Sequence, residues 1–194
     1  MKKYIISFLL LVLLFPFQIN AEGTVTYGEA IDFQPGFVGS LWHPFMKLAQ
    51  YDSNDSENLH LDLLTVIMKT SDTYHSYPDE SKLLLKFSDD SVVELNSFGD
   101  VIKDYQCKYI GNHLTDIYYT GRNYIITPEA LQKITSLPIT KVRIELANGN
   151  RKDYEVSDKH GKKVLKKLQK SLEAVQSTQE RRKKNVTGDL KDDF

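Results

Sequence analysis

The chain has 194 residues, a formal net charge of −1 and a single cysteine. That length suits one domain with a core large enough to do without disulfide staples, and one thiol allows none within the chain. Near-neutral charge argues against wholesale nucleic-acid binding, whose electrostatic footprint is a strongly basic face, so no nucleic-acid partner is expected.

Behind Lys2 and Lys3, 14 almost wholly apolar residues run from Tyr4 to Phe17, and QINA then ends on the small residue Ala21. This is the plan of a secretory signal peptide over residues 1–21, cleaved after Ala21. Crossing the hydrocarbon core takes about 20 apolar residues, so no membrane insertion is expected after cleavage. The expected destination is the periplasm or the exterior, reached through a Sec-type signal.

Residues 22–57 carry four Gly and two Pro before the polar cluster QYDSNDSEN. They read as an irregular lead-in with a short helix near Leu41 to Gln50. A single α+β domain is expected over residues 58–179. LHLDLLTVIMK opens it with Leu59, Leu61 and Leu63 alternating, then turns apolar on both faces, as a strand does on entering a core. KLLLKF and VVEL flank SDDS as strand, turn and strand. Pairing Phe87 with Val93 would also set Lys86 opposite Glu94, and that register is favoured over Phe87 with Ser91. Val101 to Asn112 reads as weakly structured, and TDIYYTGRNYIIT as two short strands or one strand bent at Gly121.

Thr127 is a good N-cap, Pro128 suits the first helical position and Glu129 adds a negative charge to the first turn. The helix PEALQKI must stop before Leu137-Pro138. The hairpin ITKVRIELANGNRKDYEV follows, and its register can be derived. A two-residue Asn148-Gly149 turn would set Ile144 against Asp153, placing acids on the apolar face. A three-residue loop, Ala147 to Gly149, puts Gly149 in the left-handed position instead. Val142, Ile144 and Leu146 then share a face with Tyr154 and Val156. The other face opposes Lys141 to Glu155, Arg143 to Asp153 and Glu145 to Arg151, so the basic residues of the hairpin are expected to be neutralised rather than to grip an anion. A final helix from Ser157 or Asp158 carries Leu165, Leu168, Leu172 and Val175 as one stripe, with Lys162, Lys163, Lys166, Lys167 and Lys170 on its solvated face. Residues 180–194 read as a charged tail that frays.

The run YIITPEALQKI…ITKVRIEL…DYEV with its Lys-rich closing helix is similar to small secreted proteins of Bacteroidetes-type bacteria. The resemblance covers about Lys82 to Val175 and implies origin and compartment. It transfers no catalytic residue.

The five histidines lie at 43, 60, 75, 113 and 160 without metal-ligand spacing, and His60 with Asp62 reads as the exposed side of a strand. No cofactor and no metal are expected. No nucleophile elbow, phosphate loop or dinucleotide fingerprint is present. Cys107 is expected to be a small buried apolar residue. The candidate ligand-binding residues are aromatic: Trp42, His43 and Phe45 in LWHPF, then Tyr118 and Tyr119. Such rings stack on sugars or anchor a partner, since each joins large area to low entropy cost.

The expected fold is α+β: a mainly antiparallel curved sheet or half-barrel of five to seven strands, closed by the C-terminal amphipathic helix. The expected function is a non-enzymatic binding or interaction protein, its partner an envelope or extracellular protein or glycan. The alternative is a carbohydrate- or small-ligand-binding module using the aromatics around Trp42, and after that a hydrolase.

Overall fold

The computed structural model describes residues 24–33, 44–53, 60–110 and 112–189. The expected signal segment, Trp42 and His43 lie outside the described residues. Those described form an α+β fold, a nine-stranded antiparallel open sheet with two helices. The strands are β1 (Thr24–Tyr27), β2 (Ile31–Asp32), β3 (Phe45–Asp52), β4 (His60–Thr70), β5 (Lys82–Phe87), β6 (Val92–Ile110), β7 (His113–Ile126), β8 (Ile139–Glu145) and β9 (Arg151–Glu155). Helix α1 (Pro128–Ser136) joins β7 to β8, and α2 (Asp158–Asp189) follows β9. The strand order is β1-β3-β4-β7-β6-β5-β8-β9, with β2 pairing β3 beside β1.

Nine strands exceed the expected five to seven, because the lead-in supplies three of them. The segment read as a helix near Leu41 to Gln50 is instead, where described, strand β3. Its residues Met, Lys, Leu, Ala and Gln are good helix formers, but pairing with β4 from Phe45↔Ile67 to Asp52↔His60 overrides that preference. Met46 and Leu48 thereby turn into the core beside Val66 and Leu64. Val101 to Ile110, expected to be weakly structured, is the far half of β6. A bulge between Phe98 and Ile102, with Gly99 at φ +66°, interrupts the alternation that would have shown it. TDIYYTGRNYII belongs to one strand, β7, and Gly121 leaves room for its neighbour, since a β-carbon there would stand 3.0 Å from Ile67 Cγ1.

The β5–β6 register is the one not favoured from sequence. Phe87 N–H donates to Ser91 O at 2.9 Å, and Leu84 faces Glu94. Both candidate registers put the same faces inward, so burial does not choose between them. The short loop chooses: Asp90 takes the left-handed conformation at φ 64°, and Asp89 Oδ1 accepts from Ser91 N–H at 3.0 Å. The charges pair outside the expected rung, Lys82 with Glu94 at 2.7 Å and Lys86 with Asp90 at 2.7 Å.

Laid flat, this strand order would hold its ends more than about 30 Å apart. Yet Phe33, just past β2, meets Tyr154 of β9 edge-on with ring centroids 5.7 Å apart. The sheet therefore curls around its apolar face. That face carries Leu64, Val66 and Met68 of β4, Leu83, Leu85 and Phe87 of β5, and Val142 and Ile144 of β8. Arg122 is buried at the edge of this core, its Nη2 donating to the Asp79 carbonyl and to Ser97 Oγ, which pins the loop before β5 to β7.

Both helices start where the sequence places them. Thr127 Oγ1 accepts from Ala130 N–H at 3.3 Å with Pro128 in the first turn, and α2 begins at Asp158. The buried line of α2 is Gly161, Val164, Leu168, Ser171 and Val175, rotated slightly from the expected stripe, so Leu165 and Leu172 are half-buried. All five lysines between 162 and 170 are exposed, as expected. The backbone stays helical to Asp189, so most of the segment expected to fray continues α2.

The first turn of α2 sits at the seam of the curl. His160 Nε2 lies 3.0 Å from the Asp32 carbonyl of β2, and a β-carbon on Gly161 would lie 2.6 Å from the Ile139 carbonyl of β8. Replacing Gly161 by Ala should therefore destabilise the fold by about 1–3 kcal/mol, because a backbone carbonyl cannot step aside as a side chain can. Urea unfolding of Gly161→Ala reads this directly, and a stability equal to or above that of the wild type contradicts the close approach.

Candidate functional site

The β8–β9 hairpin adopts the derived register throughout, with Lys141 opposite Glu155, Arg143 opposite Asp153 and Glu145 opposite Arg151. Leu146 N–H donates to Asn150 O at 2.8 Å, so the loop is the three residues Ala147 to Gly149. Gly149 is left-handed at φ +71°, and Asn148 joins it at φ 62°. Two of the three charge pairs close: Lys141 Nζ to Glu155 at 2.6 Å, and Arg143 as a two-pronged donor to Asp153 at 2.6 Å on each oxygen. Arg143, with Lys141 beside it, holds the Asp153 carboxyl well below the usual carboxylate range. The third pair does not close. Among the described residues Arg151 has no carboxylate within 4.0 Å.

Arg151 instead borders a cleft of about 420 Å³ at the seam between the two ends of the curled sheet. Pro44, Met68 and Tyr154 give it apolar walls, and Lys69, His75, Arg151 and Lys152 give it four basic groups. Its one acid, Asp153, is committed to Arg143 and Lys141. Lys69 and Lys152 share with Arg151 the lack of an ion pair among the described residues. Burial, reinforced by the positive charge of Lys152, lowers the His75 pKa, so its ring is neutral at neutral pH and gains a proton most easily when an anion is present.

The cleft also runs along an open sheet edge. Val156 N–H donates to Thr140 O and Asn150 O accepts from Leu146 N–H, so the even-numbered residues of β9 face β8. By alternation the peptide groups of Arg151, Asp153 and Glu155 point the other way, where no strand among the described residues pairs β9. A second depression, of about 390 Å³ on the outer face, has Lys82, Glu94, Arg143, Glu145 and Arg151 in its lining, and most of that charge pairs with itself or across the hairpin.

The aromatic candidates among the described residues, Phe45, Tyr118 and Tyr119, do not converge. Phe45 lies on the outer face of β3, with Lys47 Nζ 6.0 Å from its ring centroid. Tyr119 shares that outer face further along the sheet, while Tyr118 points to the opposite face, packed against Tyr74 and Tyr105 at 5.0 and 5.4 Å. Cys107, expected to be buried, is exposed on the far half of β6. Partial desolvation and the neighbouring Asp116 carboxylate push its thiol pKa up, which is the reverse of an activated nucleophile. His60 pairs with Asp52 at 2.7 Å and Asp62 accepts from Gln50 Nε2 at 2.7 Å, so the two do not form a site together. No group of three or more potential metal ligands exists among the described residues.

The cleft's cations escaped the sequence because they come from separate places: the end of β4, the loop after it, and the start of β9. The one local signal was Arg151-Lys152 directly after the turn, where neutralisation was assumed for both members of the run. No family model matches the chain, and neither a curated protein nor a solved structure matches it.

The Arg143–Asp153 pair has a definite pH signature. A depressed carboxyl pKa contributes stability that is fully present above the unfolded value of about 3.9 and is lost as pH falls toward the folded value. The stability gap between wild type and Asp153→Asn should therefore narrow as acid is added below about pH 4. Urea titrations at successive pH values measure it, and a gap of constant size down to the acid limit of folding contradicts the pairing.

Proposed function

We propose that this is an exported, non-enzymatic binding protein that holds an acidic, extended segment of an envelope or extracellular partner in the seam cleft, alongside β9. The observation that carries the reading is the set of three cations, Lys69, Arg151 and Lys152, that have no ion pair among the described residues, beside a strand edge that none of those residues pairs. An incoming strand would find peptide groups to pair with on β9, apolar footing on Met68 and Tyr154, and cations for its acidic side chains. The apolar run from Tyr4 to Phe17 behind Lys2 and Lys3 supports export, and the curled sheet is a half-barrel whose gap is the cleft. A carbohydrate site around Trp42 has less support, since Phe45, Tyr118 and Tyr119 do not line one concavity.

The test is fluorescence anisotropy with a labelled oligoglutamate peptide, and a lysine-rich peptide as its counterpart. The acidic peptide should bind and the basic one should not, with affinity falling as salt rises. Reversing Arg151 and Lys152 to Glu should weaken binding at least about tenfold, because each reversal turns an attraction of about 1 kcal/mol into repulsion. Reversing Lys162 and Lys166 on α2 should leave it unchanged. Binding should tighten as pH falls below the ordinary imidazole range, as His75, its pKa lowered by burial and by Lys152, gains its proton. Equal loss from both pairs of reversals, or no preference for the acidic peptide, would show that the cleft is not the site.

A further inference from the structure

Beyond the body of the sheet, β6 and β7 continue as a two-stranded arm. Pairing of β5 with β6 extends only to Asn96, and pairing of β4 with β7 ends at Tyr118. From Gln106↔Ile117 to Ile110↔His113 each strand has only the other as a strand neighbour among the described residues, which carries the arm about 17 Å outward. A lone two-stranded ribbon is marginal in water. This one nevertheless presents Tyr105, Tyr109 and Leu114 on a single face, 48%, 75% and 61% exposed. Exposed aromatic and apolar side chains grouped in this way mark a contact surface.

The edge of the arm is as open as its face. The Tyr105 N–H donates to Asp104 Oδ1 at 2.8 Å rather than to β7, so Tyr105, Cys107 and Tyr109 turn their peptide groups outward. We propose that this edge pairs with the same edge of a second copy of this chain, antiparallel, about a two-fold axis at Gln106.

Charge complementarity selects both the occupant and the register. With the axis at Gln106, Asp104 faces Lys108 of the second copy and Lys108 faces its Asp104, while Lys103 meets the ring of Tyr109. Moving the axis to Tyr105 sets Asp104 against Gln106, and moving it to Cys107 sets Asp104 against Ile110, so either move loses both ion pairs. Asp104 exchanges its own neighbour's N–H for a lysine, and that N–H is taken up by the new ladder. The Tyr105 and Tyr109 stripe then continues across both copies on one face. A closed two-fold pairing of this kind uses up the edge on both copies and does not propagate into fibres.

Sedimentation velocity of the chain as it is recovered, over micromolar to millimolar concentrations, tests the pairing. A dimer is expected. Asp104→Lys alone and Lys108→Asp alone should each weaken it by at least about tenfold, since each puts like charges face to face at two symmetric points. The double variant D104K/K108D should restore it, and circular dichroism of all three keeps loss of fold apart from loss of pairing. A monomeric wild type, single variants that dimerise as well as the wild type, or a folded double variant that stays monomeric would each overturn the proposal.

Discussion

The contact on which the architecture depends is that between the first turn of α2 and the Ile139 peptide. Among the described residues the two ends of the curled sheet meet through side chains, not through a ladder, so no described strand pairing holds it closed. Gly161 removes the β-carbon that would keep the helix away from β8, and His160 reaches across to the carbonyl of β2. One helical turn thus touches both margins of the sheet. The turns that follow bury Val164, Leu168 and Val175 over the open face of the core, and Gln169 ties α2 to α1 through the Thr135 carbonyl at 2.8 Å.

Closing the seam in this way concentrates charge at it. Within the β8–β9 hairpin, attraction between opposed side chains fixes the register and consumes Lys141, Arg143, Asp153 and Glu155. The remaining basic pair, Arg151 and Lys152, sits where the hairpin begins its return, next to Lys69 and His75 across the gap. Each of these cations is individually ordinary. Their grouping follows from a curl that brings the end of β4 beside the start of β9, two segments about eighty residues apart in the sequence.

What could be read from the sequence was whatever local chemistry decides. Thr127-Pro128 sets a helix start, Leu137-Pro138 ends it, and the apolar parity of Val142, Ile144 and Tyr154 permits one hairpin register. The readings that failed were those in which two periods or two loop lengths were locally equivalent. FMKLAQ satisfies a helix as well as a strand until β4 is beside it, and SDDS closes its turn by the conformation of Asp90, a detail that charge pairing does not reveal. Gly99 masked the far half of β6 by breaking its alternation. The cleft was illegible for a different reason, because no window of the chain contains it. Of the aromatic residues singled out instead, Phe45, Tyr118 and Tyr119 are half-buried and dispersed over both faces of the sheet.

The order in which the elements close has a consequence for how the molecule is made. The strands that end the sheet on one side, β1 to β3, come from the start of the chain, while β8, β9 and the helix that joins the margins come from its end. Contacts of such long sequence separation are entropically slow to form and are the last to reward the chain. Until α2 docks, the apolar face of the sheet stays uncovered, and exposed hydrophobic surface of that kind is prone to association. Removing α2 would therefore leave a polypeptide without a finished interior, so this fold is completed only when α2 docks.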